Sequence, residues 1–204
     1  VSSYSEETYH LQAKQSLGSW LKKSGIPALW GIDTRTLTQT LRECGVLKGR
    51  ITFKNPPLAR GISLPDINKE NLVAKVSCQK VTRYGRGKIR VLVIDCGLKT
   101  NQLKLFLKLD TTLIRIPWNY NPFAKENNMQ FDALFISNGP GDPKMVKETI
   151  AVVKEALQRG IPTLGICLGN QILALASGAD TYKLKYGHRG QNQPVIDALT
   201  KKCY

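Results

Sequence analysis

Four consecutive apolar residues, Val91, Leu92, Val93 and Ile94, do most to limit what this chain can fold into. A strand with one wet face alternates apolar and polar residues, whereas an unbroken run of this length suits a strand covered on both faces. Residues 88–95 are therefore predicted as a buried strand. Similar short runs recur at 111–116, 131–136 and 161–166. Between them, helical patterning spans 100–109 and 144–159, stopped by Gly160, and a further helix opens over 171–177. Short buried strands alternating with helices predict an α/β fold on a parallel sheet. Sites in such sheets form at the carboxyl ends of the strands.

The chain before residue 88 has a different character. Leu11, Leu17, Trp20 and Leu21 recur at helical spacing and predict a helix over 6–24, ended by Gly25 and Pro27. Asp33 reads as the N-cap of a second helix that runs through Leu37 and Leu41 to Gly45. A turn and strand are expected over 45–53 and a Pro/Gly loop over 55–66, while 71–82 mixes helix and strand signals. The basic, glycine-containing stretch at 83–88 suits a linker. Two domains are thus expected, at 1–83 and 88–204.

Composition narrows the function classes. The chain has 204 residues and is 42% hydrophobic, enough for a sizeable core. Its formal net charge is +15, but the basic residues are dispersed and never form a run of five. That pattern suits a basic surface facing an acidic partner or water better than a nucleic-acid footprint. No apolar stretch approaches the roughly 20 residues of a membrane span, so no membrane partner is expected. The first ten residues lack the basic and apolar regions of a signal peptide, and there is no initiator Met. The chain reads as a piece of something longer. Five cysteines, none in C-x-x-C spacing, and two histidines predict neither a disulfide framework nor a metal site. A reducing, intracellular setting fits: cytoplasmic, with mitochondrial as the other compartment.

The strongest local feature is G-x-C-x-G at Gly165, Cys167 and Gly169, between an apolar strand and an apolar helix. This is the cysteine form of a nucleophile elbow. The flanking glycines permit a crowded turn with the nucleophile at its apex. The following helix would bring its N-terminal partial positive charge near the sulfur, a setting that favours thiolate. The Leu168 N–H would face a developing oxyanion. Cys96, at another strand end without the second glycine, reads instead as a small buried cysteine. A second strand end carries Ser137, Asn138, Gly139, Pro140, Gly141, Asp142 and Pro143. Its glycines allow close approach of backbone to a ligand, and its prolines stiffen the loop. The Gly139 N–H could supply a second oxyanion donor. The other reading of this loop is an ordinary rigid turn.

The loop at 137–143, followed by the elbow at 165–171, resembles the class I glutamine amidotransferases. Three further segments, at 31–38, 97–101 and 183–194, resemble the glutaminase part of glutamine-dependent carbamoyl-phosphate synthetase. The resemblance covers nearly the whole chain and implies an incomplete parallel-sheet amidotransferase domain, preceded by part of a small α+β domain. It implies that Cys167 attacks the side-chain amide of L-glutamine while the Leu168 and Gly139 N–H groups hold the oxyanion. Gln171 and the Gly141 backbone would help hold the substrate. Ammonia would pass to a synthetase domain or subunit that makes carbamoyl phosphate from bicarbonate and ATP. The ATP and Mg belong to that part, and no cofactor is expected here.

Departures from the family pattern matter. Asn170 stands where the family usually has His. The family's catalytic His and Glu stretch does not occur in the 37 residues after Cys167. His10 lies in the other expected domain, and His188 reads as a structural or interface residue. The chain alone is expected to turn over glutamine poorly or not at all, and to be prone to instability or association. Its neighbouring readings are a structural or regulatory module of the synthetase, a sister amidotransferase of another pathway, and a nucleic-acid binder. Cys167 argues against the first, the segments at 31–38 and 188–194 against the second, and the dispersed charge against the third.

Overall fold

The computed structural model describes residues 1–52, 64–127, 129–187 and 194–204. The chain divides into two compact units, Val1–Lys54 with Lys183–Tyr204, and Asn55–Tyr182. The second holds a five-stranded sheet in the order β1-β3-β2-β4-β5. Its strands are β1 (Thr82–Tyr84), β2 (Ile89–Asp95), β3 (Thr111–Pro117), β4 (Ala133–Ile136) and β5 (Thr163–Gly165). β2 to β5 are parallel, as the alternation predicts, and β1 joins the β3 edge antiparallel.

The run at 91–94 is explained by what covers it. Leu92 and Ile94 face one core with Ile114, Leu134, Ile136, Val153, Leu168 and Ile172. Val91 and Val93 face the other, with Leu113, Phe135 and, from α4 (Thr100–Phe106), Leu103 and Phe106. Each such buried side chain is worth about 1.5–3 kcal/mol. α5 (Lys147–Gln158) buries Val152, Val153 and Ala156, and α6 (Leu168–Ala176) buries Leu168, Ile172 and Ala176. α6 starts three residues before the predicted 171, directly after Cys167.

The stretch at 83–88, read above as a linker, continues out of β1 and packs against the sheet. Gly85 turns the chain with φ +77°, and a β-carbon at Gly87 would lie 2.1 Å from the Asp110 carbonyl carbon. The Gly87 N–H donates to the Thr111 carbonyl at 3.2 Å, and the Thr112 hydroxyl donates to the Gly87 carbonyl at 2.7 Å. These bonds fold 85–88 tightly against the start of β3, so β1 belongs to the sheet. The mixed signals at 71–82 resolve into α3 (Leu72–Val76), whose Val73 is buried in the sheet's core, and then β1.

The other unit contains α1 (Leu17–Lys23) and α2 (Thr34–Cys44). Asp33 caps α2 as predicted, accepting the Thr36 N–H at 2.9 Å. The predicted helix at 6–24 shrinks to α1: Ser16 caps it through the Ser19 N–H, and Leu11 is fully exposed. Periodic apolar residues without a surface to bury against do not hold a helix. No strand forms over 45–52. Phe53 and most of the expected 55–66 loop lie outside the described residues.

Asp95, at the end of β2, anchors the sheet's carboxyl edge. It is fully buried and accepts N–H bonds from Leu98 (2.8 Å), Gly97 (2.9 Å) and Cys78 (2.8 Å), and from Arg115 Nε (2.9 Å). Burial alone would raise its pKa, but the Leu98 and Gly97 N–H groups, Arg115 and the Cys78 N–H outweigh it, and the net shift is downward. A carboxyl lowered in the folded state gives stability that is present above the unfolded pKa of about 4 and lost as pH falls through the folded value. Asp95→Ala is expected to cost about 3 kcal/mol in urea unfolding at pH 7, because it strands Arg115 and three N–H donors. The variant should also lose part of the acid sensitivity below about pH 4.

Candidate active site

β5 delivers the chain into a sharp turn. Cys167 has φ 55° and ψ −112°, and Lys201 is the one other non-glycine at positive φ among the described residues. Such a conformation costs about 1–3 kcal/mol and persists only where its surroundings enforce it. Here the enforcement is visible. The Ile166 N–H donates to the Ile136 carbonyl at 3.1 Å, tying the turn to β4. The Cys167 carbonyl accepts from Asn170 (3.0 Å) and Gln171 (3.2 Å), starting α6. A β-carbon at Gly165 would lie 2.4 Å from the Gly169 carbonyl carbon, and one at Gly169 would lie 2.2 Å from the Ile136 carbonyl oxygen. Leu168 is buried beneath the turn, which leaves Cys167 exposed at its apex.

The loop after β4 lies beside the elbow. A β-carbon on Gly139 would sit 2.1 Å from the Cys96 carbonyl oxygen and 2.8 Å from Leu168 Cδ2. Gly139 is therefore wedged between the end of β2 and the first residue of α6. Among the described residues, neither the Gly139 nor the Leu168 N–H has a hydrogen-bond partner. For Leu168 this follows from its place at the helix start. Two strand ends thus offer free N–H donors, one adjoining Cys167 in sequence and the other packed against Leu168.

The remaining predicted site residues flank this pair. Gly141 (φ +88°) is exposed, with Leu72 the nearest neighbour to its missing β-carbon. Gln171 is exposed on the first turn of α6, tied to Cys167 through its N–H. Cys96 is buried, as its sequence setting predicts, and burial, followed by the Asp95 charge, pushes its thiol up to about 12. Both histidines fall outside Asn55–Tyr182: His10 is exposed in the other unit, and His188 lies outside the described residues. Among the described residues, no group of three or more His, Cys, Asp or Glu could hold a metal ion. No helix among them is long and apolar enough to cross a membrane.

Sequence reasoning missed Ser137, Asn138 and Asp95. Ser137 and Asp95 are fully buried and brace the two strand ends from below. The one signal for Ser137 and Asn138 was their place beside Gly139 in the same loop.

Comparison with known proteins places these features in context. A family model described as "Glutamine amidotransferase class-I" matches residues 92–204. One described as "Carbamoyl-phosphate synthase small chain, CPSase domain" matches residues 1–51. The Dictyostelium discoideum "Multifunctional protein pyr1-3" is 39% identical over all of this chain and 10% of its own length. The Homo sapiens "Carbamoyl-phosphate synthase [ammonia], mitochondrial" is 39% identical over all of this chain and 13% of its own length. The Pyrococcus furiosus "Carbamoyl phosphate synthase small chain" is 40% identical over 96% of this chain and 54% of its own length. The chain thus spans between a tenth and about half of the length of these relatives.

Proposed function

The chain belongs to the class-I glutamine amidotransferase family, and from that membership we propose that Cys167 is the nucleophile that releases ammonia from glutamine. In this reading the Cys167 thiolate attacks the side-chain amide carbon of L-glutamine. The carbonyl π pair moves onto oxygen, and the Leu168 and Gly139 N–H groups stabilise that oxyanion. Its collapse breaks the C–N bond, and the nitrogen leaves as ammonia once protonated. Water then attacks the γ-glutamyl thioester, releasing glutamate and restoring the thiol. Gln171 and the Gly141 backbone help hold the substrate. The observation that carries the proposal is the positive-φ apex at Cys167, exposed beside two free N–H donors.

The ammonia is proposed to feed carbamoyl phosphate synthesis from bicarbonate and ATP in a synthetase domain or subunit outside these 204 residues. The small-chain match over residues 1–51 supports this partner. All five cysteines are free thiols, which suits a reducing compartment, cytoplasmic or mitochondrial. One observation favours a second reading, a structural or regulatory module: the sheet-bearing unit contains no histidine to protonate the leaving amine. On either reading, steady-state glutamate release by this chain alone is expected to be slow or absent.

Labelling followed by intact mass and peptide mapping separates the two readings. A chloroketone analogue of glutamine is expected to modify Cys167 selectively, and added glutamine should slow the reaction. Labelling of Cys167 no faster than of the exposed Cys44 or Cys203 would leave the module reading standing.

A further inference from the structure

Three hydrogen bonds stitch the loop after β4 to the end of β2, and a fourth lies within the loop. The Ser137 N–H donates to the Ile94 carbonyl at 3.2 Å. The Cys96 N–H donates to the Ser137 hydroxyl at 2.9 Å, and that hydroxyl donates to the carbonyl of Asn138 at 2.9 Å. The Asn138 side-chain amide donates to the Gly97 carbonyl at 3.1 Å. Asp95 in turn fixes Gly97 and Leu98. Ser137 is completely buried, so water does not compete for its hydroxyl.

The Asn138 carbonyl and the Gly139 N–H belong to one planar trans peptide and point in opposite directions. Whatever grips the carbonyl therefore aims the N–H. We propose that Ser137 is a positioning residue: its hydroxyl, held by the Cys96 N–H, locks the Asn138–Gly139 peptide and directs the Gly139 N–H outward as an oxyanion donor. This rests on the reading of Gly139 given above. The close packing of Gly139 holds its α-carbon but not the direction of the preceding peptide, which a glycine leaves free to turn over if the hydroxyl is removed. An oxyanion donor contributes only when it is held in place before charge develops.

Two reagents isolate this role from general damage. Addition of the Cys167 thiolate to the carbonyl of a glutamine chloroketone builds an oxyanion, after which the sulfur displaces chloride from the adjacent carbon and the carbonyl re-forms to leave a thioether. Iodoacetamide alkylates the same sulfur by direct displacement of iodide and builds no oxyanion. The ratio of the two rates at Cys167 reads the oxyanion site, while a collapsed elbow alters both rates. Ser137→Ala is expected to lower the ratio about ten-fold or more with the iodoacetamide rate little changed. Ser137→Thr, which keeps the hydroxyl, should restore most of it. Ser137→Cys preserves size with a weaker donor, should fall between, and serves if the alanine variant does not fold. An unchanged ratio in folded Ser137→Ala or Ser137→Cys overturns the proposal. Gly139→Ala separates this from the reading it rests on, since its β-carbon must displace the peptide from Cys96. If Gly139→Ala lowers the ratio and Ser137→Ala does not, the positioning role alone fails. If neither does, or if the unsubstituted protein shows no preference for the chloroketone, the donor role of Gly139 fails with it.

Discussion

Cys167→Ser is expected to abolish glutamine-protected labelling by the chloroketone, a loss of about a thousand-fold or more, while leaving the thermal midpoint within about one degree. Serine is almost isosteric, and the side chain it replaces is exposed, so no core packing is disturbed. The positive φ is retained, because it is set by Gly165, Gly169 and the Ile136 carbonyl rather than by the sulfur. Only nucleophilicity changes: the hydroxyl does not ionise near neutral pH, and no histidine within Asn55–Tyr182 can serve as its base. The other four cysteines act as internal controls. Cys96 is buried with its thiol pushed up to about 12, and Cys78 is half-buried and raised by burial and by Asp95, so both should react slowly. Cys44 and Cys203 are exposed and set the background rate. A variant that kept glutamine-protected labelling would place the reactive thiol elsewhere.

The second large effect is expected at Gly169. An alanine there puts a β-carbon 2.2 Å from the Ile136 carbonyl oxygen, deep between α6 and β4. That oxygen already accepts the Ile166 N–H, so it has little room to yield. The helix start must shift away from the sheet, carrying Cys167 and Leu168 with it. A loss of about 3 kcal/mol in denaturant unfolding is expected, together with loss of the selective reactivity of Cys167. Gly160→Ala is the control. It too sits at positive φ (+68°), but nothing lies within 4 Å of its missing β-carbon, so only the backbone penalty of about 1–2 kcal/mol applies. If both variants cost the same, the close approach at Gly169 is not what shapes the elbow.

These residues also show what could be read from the sequence. The run at 91–94 named a doubly covered strand because burial on both faces leaves no alternation, and β2 is that strand. The sharp turn at Cys167 was legible because a crowded strand-to-helix turn needs small residues at fixed offsets, and Gly165 and Gly169 provide them. Ser137 and Asp95 carried no such mark. Their partners, Cys96 for Ser137 and Arg115 and Cys78 for Asp95, lie 17 to 41 positions away in the chain, and only the sheet's strand order brings them together. β1 was hidden for the opposite reason. Its basic, glycine-containing continuation looks like a linker until Gly87 is seen pressed against Asp110. The lost half of the helix at 6–24 shows the limit of periodicity: Leu11 has the spacing but no partner.

The central claim is that Cys167 performs acyl chemistry on the glutamine side chain, and an activated γ-glutamyl ester tests it most directly. Such an ester expels an alkoxide or phenolate that needs no proton from the protein, so the first step does not depend on a general acid. Acid-quenched intact mass with peptide mapping should find one γ-glutamyl group on Cys167, removable by hydroxylamine and absent from Cys167→Ser. An unmodified chain, or a γ-glutamyl group on another cysteine at an equal rate, would contradict the account.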